Sequence, residues 1–149
     1  MATVLRISDA ASLAMHTMAL LAAEPGRVRT THEIAEGLKV SEAHLSKVLQ
    51  RLTHQGLVKS VRGPKGGFKL EREREDLKLL EVYEAIEGRL ESSNCLLEVQ
   101  SCNGELCILG ALLDQVNREV REYLAGTKLS QLTQVFRRTG HVEPSDHSN

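Results

Sequence analysis

The sequence predicts a mainly α-helical fold that carries one small β-hairpin. Aromatic residues make up only 3% of its 149 positions and tryptophan is absent, so the core must be built from Leu, Val, Ile and Ala. Such a core favours helices packed on helices. Apolar positions also recur at helical spacing along most of the chain, with one period-two stretch around a glycine-rich turn. A hydrophobic content of 41% and a charged content of 26% are ordinary for a globular protein. No stretch reaches the roughly 18 apolar residues that span a membrane. The apolar run 15–23 follows no basic cluster of the secretory kind. A cytoplasmic location is therefore expected, where structural disulfides are rare.

The elements follow in order. Residues 8–23 predict a first helix, with Ile7, Ala11, Ala14, Met15, Met18 and Leu21 at near-helical spacing, stopped by Glu24-Pro25-Gly26. Thr30 and Glu33 form a capping box for a short helix that runs to Leu38 and points Ile34, Ala35 and Leu38 inward. Lys39-Val40 make the turn, and Ser41 caps the next helix. There Leu45, Val48, Leu49 and Leu52 fall at i, i+3, i+4 and i+7, one buried stripe, and Gly56 closes the helix. Residues 57–61 then alternate, 62–67 turn, and Phe68-Lys69-Leu70 alternate back, a hairpin with Val58, Phe68 and Leu70 facing the core.

A helix, a short turn, a second helix with a polar outer face and a hairpin directly after it make a winged helix-turn-helix. Such a second helix fits the DNA major groove, and a basic hairpin tip suits the flanking minor groove. The outer face offers Ser41, Ala43, His44, Ser46, Lys47, Gln50 and Arg51, with His54 beyond, and the tip offers Arg62 and Lys65. The competing reading is an ordinary amphipathic surface helix. A phosphate loop is disfavoured, because Gly63-Pro64-Lys65-Gly66-Gly67 lacks both the spacing and the following Ser or Thr. Charge distribution favours DNA although the net charge is only −1. Residues 39–69 hold seven basic side chains against Glu42 alone, the electrostatic footprint of phosphate contact unless it is merely a solvated basic face.

The second half predicts a helix over 77–88, with Leu79, Val82, Tyr83 and Ile86 on one face, and a longer one over 107–125. In the latter Leu109, Leu112, Leu113, Val116, Val120, Tyr123 and Leu124 recur close to an a/d seam, which suits pairing with a second copy. Leu129, Leu132, Val135 and Phe136 suggest a short final helix, and 139–149 read as a disordered tail. The expected organisation is 1–76 as the DNA-binding domain, 77–138 as cysteine loop and dimerisation helices, and 139–149 as tail.

Three cysteines, Cys95, Cys102 and Cys107, lie between those helices as C-x6-C-x4-C. Thiolates this close on a polar segment can converge on one soft metal centre. Cys107 is expected to open the long helix, whose positive end favours a thiolate. Buried apolar thiols, a redox-switching pair and a zinc site are the alternatives. An enzyme is not expected, since no Ser-His-Asp or Cys-His constellation is evident and the histidines are scattered.

The stretch Leu57-Val58-Lys59-Ser60-Val61-Arg62-Gly63-Pro64-Lys65-Gly66-Gly67-Phe68 resembles the wing signature of the Rrf family of bacterial winged-helix regulators. Leu5-Arg6-Ile7-Ser8 is similar to that family's opening, and the likeness spans roughly residues 4–135. The resemblance implies a homodimer that binds an imperfect palindrome in double-stranded DNA and acts mainly as a repressor. It also implies an iron–sulfur cluster held by Cys95, Cys102 and Cys107, [2Fe–2S] or else [4Fe–4S], which senses redox state, nitric oxide or cluster supply. A regulator without a cluster, governed by a protein or small-molecule partner, is the alternative.

The sequence departs from the family in its ligand set. The family's cysteine gaps are equal, whereas here they are six and four. IscR-like members carry a histidine ligand three residues after the last cysteine, where this chain has Gly110. NsrR-like members take an N-terminal aspartate from the partner; alignment puts Ser12 there, with Asp9 one helical turn earlier. Asp9 is the candidate fourth ligand, or else a first-turn carboxylate serving the helix dipole. His16 and Glu105 are further candidates.

Overall fold

The computed structural model describes residues 7–91, 95–97, 99–102, 107–109 and 111–137. Ser8 starts helix α1 (Asp9–Ala23) by accepting the Ala11 N–H on its hydroxyl at 3.1 Å. This helix is buried almost all round, because helices that follow it in the chain pack on several of its sides. Leu13, Thr17, Ala19 and Leu20 are therefore buried along with the expected stripe, and Ile7, placed on that stripe by its spacing, is 47% exposed.

Helix α2 (Thr31–Leu38) begins with the expected capping box: the Thr30 hydroxyl accepts the Glu33 N–H, and the Glu33 carboxylate accepts the Thr30 N–H. Helix α3 (Glu42–His54) buries Leu45, Val48, Leu49 and Leu52. Thirteen residues form a marginal helix in isolation, so this apolar stripe against α1 and α2 is what holds it. Strands β1 (Val58–Val61) and β2 (Gly67–Leu70) pair antiparallel, with Val58 opposite Leu70 and Val61 opposite Gly67. Arg29 and Phe68 exchange backbone hydrogen bonds of 2.9 and 2.8 Å, which fastens the hairpin to the segment ahead of α2. Gly67 is required for that approach, since a Cβ there would lie 2.3 Å from the Arg29 carbonyl oxygen.

Helix α4 (Leu79–Glu87) packs on α1 and α3 through Leu79, Val82, Tyr83 and Ile86. Helix α5 (Leu112–Gly126) packs on α4. A 3-10 turn (Leu129–Leu132) and a one-turn helix α6 (Gln134–Arg137) then return to α1, in place of the single short helix expected. One hydrophobic cluster joins Met18, Leu21, Leu45 and Leu49 to Leu77, Val82, Leu124 and Leu129, so residues after 76 share the core of the winged helix. The 139–149 tail lies outside the described residues.

The long helix differs from expectation in two ways. It starts at Leu112, five residues after Cys107, so Cys107 does not sit at its positive end. Apolar periodicity carries back through Leu109, but Gly110 is a poor helix former and the regular helix begins beyond it. The apolar seam also divides into two faces. Leu113 and Leu124 are buried within the chain, while Leu112 is 54% and Tyr123 62% exposed.

Candidate nucleic-acid interface and cysteine segment

The turn between α2 and α3 is set by Lys39, which adopts φ +56°, a left-handed conformation more usual for glycine or asparagine. The Val40 N–H then reaches the Ala35 carbonyl at 3.0 Å, closing α2, and the Ser41 hydroxyl caps α3 by accepting the His44 N–H at 3.2 Å. His32 of α2 and Glu42 of α3 bridge the two helices at 2.7 Å. The hydrogen bond to Glu42, then its charge, raises the His32 pKa above the ordinary 6.5. A raised folded pKa means that the contact's stabilisation is complete below 6.5 and fades as pH rises through the higher folded value. In an NMR titration His32 should therefore titrate later than an unpaired histidine, and Glu42→Gln should bring it back; an unchanged midpoint would remove the pairing.

The outward side of α3 is open. Ser41, Ala43, His44, Lys47, Gln50, Arg51 and His54 are exposed and Ser46 is half-buried. At the hairpin tip Gly63 turns at φ +111°, the Gly66 N–H closes onto the Gly63 carbonyl at 2.9 Å, and Arg62 and Lys65 stand exposed on the turn. Lys47, Lys59, Arg62 and Lys65 pair with no carboxylate among the described residues, so their charge is available to an external anion. Arg51 differs: one of its guanidinium N–H groups donates to the Ile86 carbonyl at 2.6 Å, a bond that nothing in the sequence pattern signals.

Asp9, Ser12 and His16, three of the positions considered for a fourth metal ligand, line one groove of about 410 Å³ beside α1. Leu13, Leu38, Val40 and His44 complete it, so His44 faces this groove as well as lying on α3. His16 Nδ1 lies 2.7 Å from the Ser12 carbonyl oxygen. A carbonyl can only accept, so Nδ1 is the donor in this contact. Glu105 lies outside the described residues.

Cys95 and Cys107 are half-buried, Cys102 is exposed, and none is in a disulfide. The Cys95 sulfur accepts the Leu97 N–H at 3.4 Å. The donor chemistry suits a thiophilic centre: three cysteines outside any disulfide, on a segment whose described residues form neither helix nor strand. Among the described residues no three His, Cys, Asp or Glu side chains are gathered around one point, so binding a cluster requires the segment to draw its sulfurs together.

A family model described as "Rrf2: Iron-dependent Transcriptional regulator" matches residues 7–135. The chain belongs to the Rrf2 family of transcriptional regulators. Among its relatives, the regulator NsrR of Bacillus subtilis is 30% identical over 125 residues, 81% of this chain and 83% of the relative. The solved structure of CymR, the global cysteine regulator of B. subtilis, has a TM-score of 0.75 and 26% identity, covering 88% of this chain and 98% of its own. That of IscR from T. potens, 24% identical, has the same fold at a TM-score of 0.71, covering 93% of each chain. These Rrf2 relatives are transcriptional regulators rather than enzymes, and the family binds DNA. No helix among the described residues is long and apolar enough to cross a membrane.

Proposed function

We propose that this Rrf2 protein is a sequence-specific DNA-binding regulator that works as a homodimer, mainly as a repressor. The observation that carries the reading is the open face of α3 beside a tip that presents Arg62 and Lys65 without carboxylate partners. Lys47, Gln50, Arg51, His44 and Ser46 would lie in the major groove, Ser41 and Ala43 at the helix start against the backbone, and the tip in the adjacent minor groove. Pairing through the uncovered side of α5 would set two reading heads about 34 Å apart, one turn of an imperfect palindrome.

Cys95, Cys102 and Cys107 would hold an iron–sulfur cluster, [2Fe–2S] in the first instance. Asp9, from the groove it shares with Ser12 and His16, is the candidate fourth ligand, supplied by the partner subunit because the cysteines do not line that groove. When bound, the cluster would supply an iron–sulfur centre that reacts with oxidants and nitric oxide. The chain's own contribution is to present three thiols on a segment tied at its start to α4 and α5.

A second reading is a regulator that works without a cluster. It is supported by the high similarity to CymR, a cysteine regulator, and by the ungathered thiols. Metal and sulfide analysis of protein prepared without oxygen separates these readings. The cluster reading expects a brown protein with iron and acid-labile sulfide, both lost when the three cysteines become serine. Zinc in colourless protein would replace it with a zinc-stabilised module, and metal-free protein would favour the second reading.

A further inference from the structure

Glu42 is out of place by charge. It is the one acidic residue in 39–69, among seven basic side chains, and it opens α3, the helix whose outer face is offered to DNA. Ser41 and Ala43 flank it, and its side chain is 54% exposed. A helix start draws phosphates toward its unpaired N–H groups, and a carboxylate standing there repels them. A first-turn glutamate ordinarily serves the helix dipole. That role needs no partner, yet Glu42 has one.

His32, in the first turn of α2, places Nδ1 2.7 Å from a Glu42 carboxylate oxygen across the helix-turn-helix. Its side chain is 72% exposed, so the pair lies on the surface rather than in the core. A surface pair adds little to stability, which leaves its charge as the consequential property. The charged groups around His32 are acidic: Glu42 faces it from α3, and Glu36 and Glu33 lie beside it on α2. Glu33 is committed to the Thr30 cap. Asp9 and His16, the titratable groups of α1, line the groove beside Leu38 and Val40, which His32 does not. The hydrogen bond to Glu42 and these carboxylates hold the His32 pKa above its ordinary 6.5, so the ring keeps its proton where an unpaired histidine begins to lose it.

We propose that His32 masks the Glu42 carboxylate at the DNA-facing start of α3, and that operator binding takes up a proton at this pair. The inference rests on the reading that α3 faces DNA, and on neither the cluster nor the dimer. With His32 protonated the pair carries no net charge toward the phosphates; with His32 neutral it carries the full charge of the carboxylate. Bound DNA therefore favours the protonated form and moves the His32 midpoint further upward. Affinity is then complete below the free-protein midpoint and falls as pH rises through the DNA-bound one. His32 acts here as a positioning residue for Glu42.

The test measures the affinity of the full chain for a duplex that it enriches from a random pool, from about pH 6 to about pH 8.5 at fixed ionic strength. The wild type should weaken about tenfold across that range, the equivalent of one unit of midpoint shift. Glu42→Gln should bind at alkaline pH about as tightly as the wild type does in acid, with most of that tenfold change gone. His32→Gln should bind in acid only as weakly as the wild type does at alkaline pH. The double variant should follow Glu42→Gln, because no charge remains to be masked. A bridge that merely held α2 against α3 would make both single variants weak and lower their melting temperatures, and that pattern overturns the proposal. His44 and His54 lie on α3 as well, and a pH dependence that survives in all three variants would belong to them and overturn it equally. So would a wild type whose affinity ignores pH. A chain that binds no DNA at any pH refutes the reading of α3 itself, and this inference with it.

Discussion

If the chain pairs through α5 as proposed, aspartate at both Leu112 and Tyr123 should convert it to a folded monomer that binds its operator at least about a hundredfold more weakly, since two linked reading heads gain that much over one. The two side chains lie within about 20° of each other around α5, roughly 100° around the helix from the buried Leu113 and Leu124. Val116, half-buried, continues the same stripe. Because both residues are more than half exposed in the single chain, charging them leaves the core untouched and acts on association alone. Sedimentation and thermal melting separate the outcomes: a monomer with a native-like transition supports pairing through this face, and an intact dimer places the interface elsewhere.

The second large effect belongs to the hairpin tip. Arg62→Ala combined with Lys65→Ala should reduce the salt dependence of binding by about two released counterions. It should also cost about 1–3 kcal/mol of operator affinity, more if Arg62 enters a narrow minor groove. Neither side chain has a carboxylate partner among the described residues, so nothing in the folded chain is lost with them. Titration at several salt concentrations reads both quantities. An unchanged slope would mean that the tip does not touch DNA.

Legibility from sequence followed the range of the interaction. The α3 stripe and the hairpin were visible because period 3.6 and period 2 are properties of contiguous residues, and both formed as read. The Thr30–Glu33 capping box, three residues apart, was equally plain. Helix α1 was only half legible. Its burial on several sides is produced by α4, the 3-10 turn and α6, which lie far along the chain. The start of α5 was misplaced because apolar spacing continues back through Leu109, whereas the regular helix begins at Leu112. Lys39 in a left-handed turn carried no glycine signal. The bond from Arg51 to Ile86, 35 residues apart, leaves no local pattern at all. Within the cysteine segment the three thiols could be read, but their spatial arrangement could not, because a C-x6-C-x4-C spacing does not fix where three sulfurs lie.

The most direct test of the central claim is selection of bound sequences from a pool of random duplexes by the intact protein. Two α3 helices related by a dimer axis predict an enriched inverted repeat whose half-site centres lie about 10 base pairs apart or at a multiple of that turn. Binding to it should be lost when Lys47 and Gln50 become alanine together. Enrichment of a single asymmetric site, or no enrichment over the starting pool, would contradict the account of a dimeric, sequence-reading winged helix.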